Sequence, residues 1–184
     1  MAEIIFDKIK IPKENLARNK NNSKWQEIRR ASNIFASLIL NKKDFFDTKD
    51  VEFPNVKLAD FYLYSDSIAY IVNMSFSIEL ALKTILEHQG NLKSVHKLDE
   101  LFLRLDPPTR RLIIRYLNTT HCLLGNKYNS EQEFVEALKP INELFIKYRY
   151  FFDDKYDLKN FNEDLSLLLR LFYILVYYIN YKLK

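Results

Sequence analysis

The sequence predicts an all-α bundle of five to six helices built around one long central helix, on three observations. Only two glycines and five prolines occur in 184 residues, too little turn chemistry for a protein of many short strands and hairpins. Apolar residues recur at three- and four-residue spacings over long stretches. Hydrophobic residues make up 48% and aromatics 15% of the chain, enough to fill the single core that a chain of this length can close.

In chain order, a short extended start (Ile4, Ile5, Phe6, Ile9, Ile11) precedes a helix over 23–40 with Trp25, Ile28, Ser32, Phe35 and Ile39 on its apolar face. Residues 41–58 lack periodicity and read as a long connection. The longest pattern, Leu58 to Gln89, carries Phe61, Tyr64, Ile68, Ile71, Ser75, Ile78, Leu82 and Ile85 on one stripe. Beside it runs a second face of Ser67, Tyr70, Met74, Ser77 and Ala81, so this helix can be contacted on two sides. Gly90 supplies a left-handed stop. A short helix bearing Leu98, Leu101, Phe102 and Leu105 ends at Asp106-Pro107-Pro108, which can cap the helix that follows, to about Asn118. Ser130 and Glu133 form a capping-box signature for the next helix, with Phe134, Leu138, Ile141, Phe145 and Tyr148 as its stripe and Pro140 as a kink or break. Leu165, Leu168, Leu169, Phe172, Val176, Ile179 and Leu183 define a last helix.

Charge divides the chain unevenly. Residues 1–43 carry +6 and the remainder −2, so residues 1–22 read as a basic arm and 23–184 as one helical domain. Such an arm can bind nucleic acid by counterion release or serve as a solvated end. The lone Cys122 forms no intrachain disulfide, and no signal-peptide pattern opens the chain. Both point to a cytoplasmic protein. Leu165 to Ile179, the most apolar run, is interrupted by Arg170 and is shorter than the roughly 20 residues of a membrane span. No membrane association is expected from it.

Phosphate-cradling glycine loops, zinc-ligand spacings and nucleophile elbows are missing, and His88, His96 and His121 are too few for a histidine-rich metal site. No cofactor and no metal are expected. The segments Ser75–Gly90, Val95–Leu105 and Glu133–Asp154 together resemble the HEPN-like superfamily. Its members often pair a Glu-x-x-x-Lys turn, here Glu79 and Lys83, with a following His-x-Leu-x-x-Leu, here His96, Leu98 and Leu101, and a later helical arginine, here Arg149. The resemblance spans roughly Leu58 to Leu183 and implies a dimerising helical bundle. Many such domains are ribonucleases in toxin–antitoxin, CRISPR-associated or phage-defence systems.

By that resemblance Arg149, His96, Glu79 and Lys83 are the candidate catalytic residues of a metal-independent endoribonuclease, gathered around one cleft. The family's motif also has a histidine a few residues after the arginine. The stretch Tyr150 to Tyr156 has none, and neither Asp153 nor Tyr156 replaces an imidazole tuned near neutral pH. Arg115 and His121 have the family's spacing at a different place in the chain. With Arg104, Arg110 and Arg111 they form a basic cluster that could contact RNA phosphates.

Structural alternatives stand beside each of these. Glu79 and Lys83 are placed for an intrahelical ion pair. His96 could cap the short helix or bond to the long one. Arg149 could pair with Asp153 or Glu79, and the tyrosines at 173, 177, 178 and 181 suit a subunit interface as well as base stacking. Two functions follow as expectations. One is an RNA-binding or ribonuclease-related module of a prokaryotic defence or toxin–antitoxin system, with RNA and an antitoxin as partners. The other is a non-catalytic dimerisation or protein-interaction domain.

Overall fold

A computed structural model describes residues 9–17, 19, 22–40, 65–119, 127–142 and 161–183. Among them run six α-helices and no strand: α1 (Lys24–Leu40), α2 (Ser65–His88), α3 (Leu98–Arg104), α4 (Pro107–Thr119), α5 (Glu131–Ile141) and α6 (Phe161–Tyr177). A short 3-10 turn, Lys13–Asn15, precedes α1, and a π turn, Tyr178–Lys182, follows α6. The long connection at 41–58 and the expected first turns of the central helix lie outside the described residues.

α2 is the axis of the bundle, as its two faces predict. One side packs along α1, another along α6, and its C-terminal part meets α3. Ile71, Met74, Ile78, Ala81, Leu82 and Ile85 are all buried. The segment Ala69–His88 is long and apolar enough to pass for a membrane span, but 61% of its most apolar window is buried inside the fold, as a core helix requires. α6 is enclosed more completely than its stripe suggests, because Leu167, Leu171, Ile174 and Leu175 are buried along with the expected residues.

The α1 face differs from the apolar reading. Ser32, Asn33, Ala36 and Ile39 are buried, whereas Trp25, Ile28 and Phe35 are half-buried. Small residues let the α1 and α2 backbones approach, and the serines bond across the gap. Ser32 Oγ donates to the Ser77 carbonyl at 2.8 Å and Ser77 Oγ to the Ser32 carbonyl at 3.2 Å. Phe35 finds its partner at the edge, stacking on Phe76 with centroids 5.3 Å apart. At the other end Trp25 meets the edge of His88, 5.1 Å away, and carries the Arg29 guanidinium on its face at 4.8 Å. Desolvation there lowers the Arg29 pKa, against the opposing pull of Glu14.

The arm is docked where it is described. Ile9 and Ile11 pack on the core, and the buried Asn15 donates from Nδ2 to Asn180 Oδ1 at 2.7 Å. Asn33 and Asn180 exchange amide bonds at 2.9 Å each. Three asparagines thereby tie the arm, α1 and the chain's last turn together. Asn180 belongs to the π turn, and the Leu183 amide reaches back five residues to the Tyr178 carbonyl at 3.0 Å. The last helix therefore ends in a widened turn instead of continuing as regular α-helix.

Helix ends follow the expected chemistry with two refinements. Gly90 has φ +69°, and the Gly90 and Asn91 amides bond to the Glu87 and Leu86 carbonyls, a Schellman stop. Asp106 Oδ1 caps α4 by accepting from the Thr109 amide at 2.7 Å. Ser130 accepts from the Glu133 amide at 3.1 Å, but Glu133 returns its bond to the Asn129 amide, one residue earlier than a full capping box. Pro140 stands in the last turn of α5, which ends one residue later.

α3 borrows its cap. Lys97 offers no capping side chain, and Asn142, just past α5, accepts from the Leu98 and Asp99 amides at 2.7 and 3.2 Å while donating to Asp99 Oδ1 at 2.7 Å. Asn142→Ala is expected to cost about 1–2 kcal/mol, the usual value of an N-cap with its amides left dry. Urea unfolding measures this loss, and a change near zero would mean that solvent caps α3 equally well.

Candidate functional site

Glu79 and Lys83 lie one turn apart on α2. The Gly90 stop then reverses the chain, and 91–97 runs back along the helix to deliver His96 just before α3. Glu79 Oε1 receives two partners: Lys83 Nζ at 2.7 Å and His96 Nδ1 at 2.9 Å. A carboxylate only accepts, so this bond calls for a hydrogen on Nδ1 and leaves Nε2 as the imidazole's basic atom.

Burial separates the roles. The Glu79 and Lys83 side chains are 18% and 15% exposed, and that of His96 is 76% exposed. A sheltered ion pair anchors an imidazole that faces solvent. The intrahelical pair and the histidine-to-helix bond are thus both formed, and the capping alternative for His96 is taken by Asn142. Arg149, the remaining member of the expected cleft, lies outside the described residues, as do His121 and Phe145.

The basic cluster divides in two. Arg110 is held in the structure, with Nη1 donating to the Leu103 carbonyl at 2.6 Å and Nε 3.1 Å from Glu131 Oε1. It ties α4 to the end of α3 and to α5, and the carbonyl and carboxylate offset its unfavourable place near a helix N-terminus. Arg104 is half-buried, while Arg111 and Arg115 are exposed one turn apart on α4.

Three constellations have contacts that the sequence did not reveal. The asparagine tie is one. The second is Arg170, 1% exposed in α6, whose guanidinium points at the Leu117 carbonyl at 3.4 Å and Tyr128 Oη at 3.5 Å and lies 5.8 Å from the Tyr128 ring centre. Its signal was a single charge within the most apolar run of the chain. The third is a ladder of tyrosines on the surface beside α4. No group of three His, Cys, Asp or Glu residues among the described residues could hold a metal.

Fold and site together define an all-α helical bundle with a carboxylate-anchored, exposed histidine. No protein-family model, curated protein or solved structure matches the chain.

Proposed function

We propose that this protein is a HEPN-like, RNA-binding or ribonuclease-related module of a prokaryotic defence or toxin–antitoxin system, acting in the cytoplasm as a homodimer. The observation that carries this reading is the Glu79–His96 pair. An imidazole fixed through Nδ1 by a sheltered carboxylate can take a proton through Nε2 from an RNA 2′-hydroxyl. The alkoxide then attacks the adjacent phosphorus, a 2′,3′-cyclic phosphate forms as the P–O5′ bond breaks, and the 5′-oxygen takes its proton from water. Arg149, by the resemblance, would grip the phosphate with two guanidinium nitrogens.

The test is incubation of purified protein with tRNA, mRNA and single-stranded RNA in the presence of EDTA. Cleavage is expected, with His96→Ala reducing it at least about 100-fold, the usual contribution of a general base. Glu79→Gln, which keeps an acceptor for Nδ1 but not the carboxylate, should give a smaller loss. Intact RNA under all conditions would leave the non-catalytic reading. One observation favours that reading too: Ile34 and Leu38, one turn apart on α1, are 40% and 52% exposed, an apolar pair suited to a protein partner.

A further inference from the structure

Three stretches that are far apart in the chain meet on one surface. Tyr116 of α4 abuts Tyr177 edge-on, with ring centres 6.1 Å apart. Tyr177 stacks on Tyr181 at 5.4 Å and 28° between planes, and Lys182 Nζ lies 5.7 Å from the Tyr177 centroid. Tyr181 Oη donates to the Lys10 carbonyl, joining the arm to the same band.

Charge follows the rings. Residues 9–13, 107–119 and 173–183 contain six lysines and arginines and no aspartate or glutamate. Arg110 is committed to Glu131, and the other five, Lys10, Lys13, Arg111, Arg115 and Lys182, are all exposed. Glu14, the next residue of the arm, exerts its field on Arg29 of α1.

Asp106, just before α4, is taken up by the Thr109 amide and the Gln89 side chain, so like charges on these segments repel one another and are balanced in large part by solvent ions. A polyanion would do so better, releasing its counterions as it binds. The tyrosines narrow the choice of polyanion. Tyr181 stacks on Tyr177 by one face yet remains 44% exposed, so a flat partner can continue the stack on its other face. Duplex nucleic acid keeps its bases stacked on one another, whereas a single strand can turn a base onto an aromatic ring. Arg111 and Arg115 stand about 6 Å apart along the α4 axis, an exposed pair of phosphate grips on the helix that also carries Tyr116.

We infer that the Tyr116–Tyr177–Tyr181 ladder with Arg111, Arg115 and Lys182 is a docking surface for single-stranded RNA, with Tyr181 as the stacking platform. This rests on the RNA reading of the protein and names the strandedness of its substrate and the surface that holds it. It is separate from the Glu79–His96 pair, so it would bind RNA whether or not that pair cuts it.

Fluorescence anisotropy of a labelled single-stranded RNA of about 12 nucleotides, within the span that compact single-strand binders cover, tests the assignment. A hairpin duplex serves as competitor, and use of the His96→Ala background throughout prevents cleavage. The protein should prefer the single strand. Tyr181→Ala should weaken binding roughly ten-fold, as loss of one base–aromatic stack does. Tyr181→Phe, which keeps the ring and loses only the bond to Lys10, should bind like the parent. Arg111→Ala with Arg115→Ala should lower the slope of log affinity against log salt by about 1.4, the value for two phosphates on a single strand.

Unchanged affinity in Tyr181→Ala and in the arginine pair, in a protein that still binds RNA, would overturn the surface and leave the RNA reading standing. Equal losses in Tyr181→Phe and Tyr181→Ala would overturn the stacking role, since the arm's hydrogen bond would then be what matters. A parent protein that binds neither form of RNA at low salt would remove both this inference and the reading it rests on.

Discussion

Ser77→Leu is expected to destabilise the bundle by about 3 kcal/mol or more, combining an overpacked interface with lost hydrogen bonds. Ser77 and Ser32 are each 0% exposed, as are Ala36 and Ala81 along the same pair of helices. Their two hydroxyls lie 3.4 Å apart, each already bonded to the opposite backbone. A leucine has no room between α1 and α2 without parting them, and α1 carries Asn33, one third of the tie that holds the arm and the last turn. Ser77→Ala provides the control. It removes one hydrogen bond, introduces no clash, and should cost only about 1 kcal/mol. Urea unfolding followed by far-ultraviolet circular dichroism measures both. A leucine variant within about 0.5 kcal/mol of the alanine variant, the ordinary range for surface changes, would show that the helices are not in close contact there.

The same interface marks where sequence reading ran out. Periodicity located α3, α5 and α6 because each buries a continuous apolar stripe, and Leu98, Leu101, Phe134, Leu138, Leu168 and Phe172 all lie in the core. It placed Ser32 and Ile39 correctly on the inner face of α1 but turned that face too far toward Trp25 and Phe35 and missed Asn33 and Ala36, because hydropathy ranks the aromatics above asparagine and alanine. What holds the Ser32 hydroxyl there was not legible, because its partner stands 45 residues away. Asn15, Asn33 and Asn180 were illegible for the same reason.

Legibility of the site was likewise partial. The four-residue step from Glu79 to Lys83 follows from helix geometry alone. The approach of His96 depends on where 91–97 leads after Gly90, and the sequence offered it only as one alternative beside a capping role. The tyrosines of the last helix suited an interface as well as a stacking surface, and the contact from Tyr116 to Tyr177, which joins them to α4, is not legible in the sequence.

Arg170→Ala is expected to lower stability by about 3 kcal/mol, because it empties a large core volume and strips the Leu117 carbonyl and Tyr128 hydroxyl of a cation. The surroundings of Arg170 are ordered from a second direction. Asn118 Nδ2 donates to the Tyr128 carbonyl at 2.7 Å, and the Tyr128 amide donates to Asn118 Oδ1 at 2.8 Å, so α4 and the approach to α5 are clasped where the guanidinium arrives. Desolvation is the largest influence on Arg170 and lowers its pKa, partly offset by Tyr128. The folded state therefore disfavours the charged form relative to the unfolded chain. That cost is present in full below the folded pKa and is relieved only as pH rises through the strongly alkaline range toward the unfolded value. At neutral pH the charge is carried at a loss, and the bonds and packing of the side chain must offset it. Arg170→Met fills much of the volume without a charge and should recover about 1–2 kcal/mol relative to Arg170→Ala. Arg170→Lys keeps the charge, loses the planar fork that spans Leu117 and Tyr128, and should be less stable than Arg170→Met. Thermal and urea unfolding of the three variants gives the order directly. A lysine variant more stable than the methionine variant would mean that the positive charge itself, and not the volume and reach of the arginine, holds this part of the core.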